Sequence, residues 1–111
     1  MYSIVSTAIV HGIDSIPVQV EADVSNGMPY FEMVGFLGAE VKEAKERVRT
    51  ALRNAGYLLP AKRITVNLSP AGVRKSGSAF DLPITVALMA ALEIVPKENT
   101  ADILVVGEIG L

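Results

Sequence analysis

The chain has 111 residues, half of them apolar, with a mean hydropathy of +0.41 and a formal net charge of −2. That length makes one domain rather than two. It holds no cysteine, which excludes disulfides and thiolate metal sites. No apolar run reaches the roughly 18 residues of a membrane span, and the opening MYSIVSTAIVHGID lacks the basic start of a signal peptide, so the expectation is a cytoplasmic protein without membrane contact.

Tyr2 to Val10 is rich in β-branched residues and reads as a strand, followed by a turn at His11-Gly12-Ile13-Asp14. From Ile16 to Val24 apolar and polar residues alternate, the pattern of a strand with one wet face, and Pro17 marks its start or a sheet edge. Ser25-Asn26-Gly27 signals a tight turn and Tyr30 to Val34 a third strand. The first third therefore predicts an antiparallel meander.

Gly35-Phe36-Leu37-Gly38 breaks the strand. From Ala39 to Ala55, Val41, Ala44, Val48, Ala51, Leu52 and Ala55 share one narrow stripe, which predicts an amphipathic helix stopped by Gly56. Glu43 and Arg47 are spaced to pair along it. After Pro60, Ile64, Val66 and Leu68 alternate with polar residues and give a fourth strand. Asp81 is placed to cap a helix from Leu82 to about Glu93, with Pro83 in its first turn. That helix is apolar all round and is expected to be covered on every side, with Val86 and Leu88 nearly inaccessible. Ile103 to Val106 reads as a fifth strand, and Gly107-Glu108-Ile109-Gly110-Leu111 begins a hairpin. The order βββ-α-β-α-β indicates an α+β domain, with helices packed on a sheet.

Charge is placed unevenly. Between Lys42 and Lys75 nine cations face two acids, a net +7, and the remainder sets one lysine against ten acids, a net −9. Lys42, Lys45, Arg49 and Arg53 line one flank of the first long helix, beside its apolar stripe. Together with Arg74 and Lys75, and with Lys62 and Arg63 if the fold brings them close, they are candidates for holding a nucleic acid or another anionic partner. A solvated helix face is the plainer alternative. Tyr2, Tyr30, Phe31, Phe36, Tyr57 and Phe80 are spread along the chain and predict no stacking platform.

An ordered set of motifs runs the length of the chain: Gly12-Ile13-Asp14, Val41-Lys42-Glu43-Ala44, Glu46-Arg47-Val48-Arg49, Thr65-Val66-Asn67-Leu68-Ser69-Pro70-Ala71, Lys75-Ser76-Gly77, Phe80-Asp81-Leu82-Pro83-Ile84 and Gly107-Glu108-Ile109. The set resembles the N-terminal domain of the magnesium-chelatase-like AAA+ ATPases of the ComM/YifB group. One departure is Gly35-Phe36-Leu37-Gly38, where that group has a sequence like G-L-P-D. The resemblance implies a ribosomal-protein-S5-domain-2-like fold, as in the proteolytic domain of Lon. It also implies that residues 1–111 are a fragment of a longer, ring-forming motor that acts on DNA during competence. In that reading the chain itself carries no cofactor and is not an enzyme. ATP and magnesium belong to the ATPase domain, and the partners are that domain, neighbouring copies in a homo-oligomer, and DNA.

Two enzymatic readings follow from the loop before the apolar helix. Lys75-Ser76 superficially matches a phosphate loop, but G-x-x-x-x-G-K-[ST] needs glycines where Ser69 and Arg74 stand. The resemblance to Lon places Ser78 at or beside the nucleophile of its K-D-G-P-S-A-G loop, so Ser78 is a weak candidate for a Ser/Lys peptidase. A serine needs an adjacent base, and Phe80 and Asp81 crowd the position after it. Ordering the loop is the competing role. A stand-alone nucleic-acid-binding module is a further alternative. His11 is the only histidine and has no ligand spacing around it, so no metal site is expected.

Overall fold

The computed structural model describes residues 1–11, 14–77 and 79–94. Four strands, β1 (Tyr2–His11), β2 (Asp14–Ser25), β3 (Tyr30–Val34) and β4 (Arg63–Ser69), form one sheet in the order β1-β2-β4-β3. β1 and β2 make a long antiparallel hairpin in which Val5 stands opposite Val20. β4 runs antiparallel to the other side of β2, with Val66 opposite Ala22. β3 pairs parallel with β4, with Met33 opposite Val66.

The meander expected for the first third is therefore corrected. β2 takes β4, not β3, as its second neighbour. Parallel strands need a long crossover, usually helical, and the 28 residues between Val34 and Arg63 supply it. Period-2 alternation identifies a strand and its wet side, but it does not name the partner.

The alternation sets the two sides of the sheet. Val18, Val20, Ala22 and Val24 of β2 are buried together with Val5 of β1 and Ile64, Val66 and Leu68 of β4. The opposite side exposes Gln19, Asp23 and Arg63. Three helices follow: α1 (Ala39–Lys42), α2 (Ala44–Asn54) and α3 (Asp81–Ala91). α3 lies on β1 and β2, and α2 packs beside it. Ser3 of β1 donates its hydroxyl to the Ala87 carbonyl at 2.5 Å, satisfying a buried polar group where strand and helix meet. Val48, Leu52, Ile84 and Leu88 fill the space between the layers.

The single helix expected over 39–55 is broken at Glu43, which separates α1 from α2. Its end matches expectation. Gly56 has φ +93°, its N–H bonds Arg53 O at 3.0 Å, and the Tyr57 N–H reaches Leu52 O at 2.8 Å. This is a Schellman motif. Glu93 closes α3 in the same way, with φ +61° and Ile94 N–H bonded to Met89 O at 2.8 Å.

α3 is not covered on every side by the described residues. Leu88 is buried as expected, but Val86 is only half-buried, as are Leu82 and Met89 on the same flank. The sheet and α2 cover the rest. Between β3 and α1, Gly35 adopts φ +134°, and a Cβ there would stand 2.6 Å from the Leu68 carbonyl oxygen. Only glycine fits so close to a neighbouring backbone.

The turn at Gly12 and Ile13, Ser78, the fifth strand expected at Ile103 to Val106 and the Gly107-to-Leu111 hairpin lie outside the described residues. Among the described residues no helix is long and apolar enough to cross a membrane.

Candidate functional site

α2 is fixed by its buried residues Ala44, Val48 and Leu52, so its adjoining flank has to face outward. Arg49 and Arg53 are exposed there and Lys45 is half-buried, while Lys42, the last residue of α1, is exposed just before it. Arg49 makes a loose pair with Glu46 at 3.4 Å and lies 5.9 Å from the centre of the Phe31 ring. An exposed pair of this kind contributes well under 1 kcal/mol, so it does not hold Arg49 back from another anion.

Arg47, in the same helix, does something else. The predicted pairing with Glu43 gives way to a fork on Asp81, with Nε 2.6 Å from Oδ2 and Nη2 2.9 Å from Oδ1. Nη2 also donates to the Glu40 carbonyl at 2.7 Å. The hydrogen bond to Asp81 raises the Arg47 pKa above its ordinary value. Asp81 is consequently no helix cap. Phe80 occupies the cap position, without a side-chain capping bond, and Asp81 sits buried in the first turn. The sequence shows an aspartate before an apolar helix. It does not show the arginine that the fold brings to it from 34 residues away.

The loop from β4 to α3 places the remaining candidates. Lys75 is corrected from a surface cation to a core residue, because it is fully buried. Its Nζ donates to the Pro70 carbonyl, its N–H bonds Phe36 O at 2.8 Å, and its carbonyl accepts from Gly38 N–H at 2.7 Å. Lys75 thus ties this loop to the one before α1. Desolvation lowers its pKa. Arg74 is exposed at the start of α1, where a Cβ added to Gly38 would stand 3.3 Å from its Nη2. Arg63 lies on the open side of the sheet, with Nε 2.8 Å from the Tyr30 hydroxyl and the guanidinium 5.2 Å from that ring's centre. The cations therefore divide among the α2 flank, the start of α1 and the open sheet face.

One grouping escaped the sequence reading. The C-terminal turn of α2, the connection 57–62 and the start of β3 enclose a cleft of about 410 Å³. Arg49, Arg53 and Lys62 line it beside Tyr30, Phe31 and Tyr57. Residues spread along the chain are gathered here because β3 and the end of α2 lie at the same edge. Among the described residues no group of three or more metal-ligating side chains occurs. Ser78, the weak nucleophile candidate, lies outside the described residues.

Residues 20–111 match the family described as "Subunit ChlI of Mg-chelatase". The chain is 47% identical over 111 residues to the uncharacterized protein YifB of Salmonella typhimurium and 44% identical over 111 residues to the competence protein ComM of Haemophilus influenzae, each time over 96% of this chain and 22% of the relative. It is 37% identical over 102 residues to the uncharacterized protein Rv2897c of Mycobacterium tuberculosis, over 92% of this chain and 20% of that protein. The chain belongs to the ChlI family of magnesium-chelatase-like proteins, in its ComM/YifB group. It spans about a fifth of the length of these relatives. Within this ChlI-family chain, the structure places Lys42, Arg49, Arg53, Arg63 and Arg74 at the surface, and a cleft at the end of α2. The motif residues Asp81 and Lys75 are interior fastenings.

Proposed function

We propose that this chain is the non-catalytic N-terminal domain of a longer, cytoplasmic magnesium-chelatase-like AAA+ ATPase. In this reading it holds DNA phosphates for a motor whose ATP and magnesium are bound elsewhere in the protein. The name of the Haemophilus influenzae relative, a competence protein, favours DNA processing during competence as the setting. The order of strands and helices fits the S5-domain-2-like fold anticipated from the sequence, as one domain over residues 1–111.

The observation that carries the reading is the cationic flank made by Lys45, Arg49 and Arg53 of α2, with Lys42 at the end of α1, beside the α2 residues locked into the core. Side chains on a rigid element can meet a phosphate backbone without an ordering cost for the chain beneath them. Each phosphate contact releases counterions, so affinity falls with salt by a log–log slope of about −0.7 to −0.9 per contact, near −3 for four.

A second reading gives the same flank to a neighbouring copy or to the ATPase domain, since the rest of the chain carries −9. The double variant Lys45→Glu/Arg49→Glu separates the two. The proposal expects weaker DNA binding with the oligomeric state kept. Unchanged DNA binding with lost oligomerisation makes the flank an assembly surface and overturns it.

A further inference from the structure

The cleft at the end of α2 has a composition that phosphate binding alone does not need. Tyr57 stands 42% exposed and Leu58 78% exposed, a large apolar area to leave in water. Cations rise on the walls around them: Arg49 and Arg53 one helical turn apart on α2, and Lys62 on the connection. No acidic residue lines the cleft among the described residues. Its occupant therefore carries flat apolar surface and negative charge in close alternation.

We infer that this cleft seats an unpaired base of a single-stranded nucleic acid, stacked on Tyr57, with its flanking phosphates on Arg49, Arg53 and Lys62. The inference rests on the phosphate-binding reading above and adds strandedness to it. Arg49 and Arg53, four residues apart, are separated by about 6 Å along the helix axis, which lets them take successive phosphates while the base between them turns inward. A duplex keeps its bases stacked on one another and presents only its backbone to such a cleft, so it gains nothing from Tyr57 or Leu58. An acidic protein segment meets the charge but has no planar group at each anionic step. The other two rings are already engaged by guanidinium groups, Phe31 with Arg49 and Tyr30 with Arg63, which leaves Tyr57 as the platform.

The test is fluorescence anisotropy of this chain with labelled oligo(dT), with a duplex of equal length and with poly-glutamate, folding being verified for each variant by circular dichroism. Oligo(dT) is expected to bind more tightly than the duplex. Tyr57→Ala is expected to weaken oligo(dT) binding about tenfold, leaving the duplex affinity and the salt slope unchanged. Tyr57→Phe, which keeps the ring, is expected to bind like the parent chain. Equal affinity for both nucleic acids, with Tyr57→Ala silent, overturns the base seat and leaves the phosphate reading standing. Poly-glutamate binding as tightly as oligo(dT), with the same loss in Tyr57→Ala, overturns it in favour of an acidic protein segment. Failure of the chain to bind either nucleic acid overturns this inference and the reading beneath it together.

Discussion

Arg47 and Asp81 meet as a two-pronged fork, with separations of 2.6 and 2.9 Å, and they join two helices that are distant in sequence. The Asp81 side chain is 2% exposed and that of Arg47 is 26% exposed. The carboxylate is thus inside the protein and the guanidinium closes over it. With its additional bond to Glu40 O, Arg47 sets α2 against both α1 and α3, and so fixes where the cationic flank points.

Removing the arginine leaves a buried carboxylate without its counter-charge. Arg47→Met is expected to cost about 3–5 kcal/mol in urea unfolding. The double variant Arg47→Met/Asp81→Leu, which removes both charges, is expected to recover much of that loss. A double variant no more stable than the single would show that the fork is not the source of the effect.

Lys75 gives the chain a distinct response to alkali. Burial lowers its pKa from 10.5, so just below pH 10.5 the unfolded chain holds more of this proton than the folded one. Stability contributed by this group therefore rises with pH through that window. Tyr2 opposes it, because its raised pKa lets the unfolded chain release its proton first above pH 10.0. Urea midpoints measured from neutral pH to 10.5 for the parent and for Lys75→Met isolate the lysine. The difference between them is expected to shift toward the parent as pH rises, and parallel curves would refute the assignment.

Glu93 holds a left-handed conformation, φ +61°, at the end of α3. Such backbone is costly for a residue with a Cβ, and glycine is the usual occupant of this place in the motif. Glu93→Gly is expected to stabilise the chain by about 1 kcal/mol in thermal or urea unfolding. The reverse change at Gly35, Gly35→Ala, is expected to destabilise it, since the new methyl would meet Leu68 O.

The isolated chain is expected to hydrolyse neither peptides nor ATP. Lys75 has its amine on the Pro70 carbonyl, and the loop lacks the glycines of a phosphate cradle. Protease and ATPase assays on the parent and on Ser78→Ala check this. Turnover of either substrate would contradict the expectation, and peptide turnover that vanishes in the variant would reinstate the peptidase reading.

Elements whose residues carry their own period are legible in the sequence. The alternation of Val18, Val20, Ala22 and Val24 marked β2 and its buried side, and the stripe Val41, Ala44, Val48 and Leu52 marked the helical segment. Pairings were not legible, because partner choice depends on what the whole chain brings together. Nothing local to Tyr30–Val34 says that β4 is its neighbour, or that Asp81 will find Arg47 in place of a helix N–H. The helical spacing of Lys42, Lys45, Arg49 and Arg53 is visible in the sequence, but not the break at Glu43 that puts Lys42 in α1. Lys75 was misplaced because burial of a lysine is decided by the carbonyl waiting for it, and the sequence separates Tyr57 from Tyr30 and Phe31 because a cleft is a property of the edge where β3 and α2 end together.

The insertion of β4 between β2 and β3 has a consequence for the order in which the molecule takes shape. A chain made from its N-terminus can close the β1–β2 hairpin early, since its register needs only residues already present. Among the described residues β3 has no partner until residues 63–69 exist, because the described sheet pairs it with β4 alone. Of the four described strands the last to arrive is thus an inner one, and it completes two ladders at once. Non-local closure of this kind is slow relative to hairpin formation. Pulse-labelled hydrogen exchange during refolding should protect the amides of Tyr30–Val34 no earlier than those of Arg63–Ser69. Protection of β3 ahead of β4 would contradict this order.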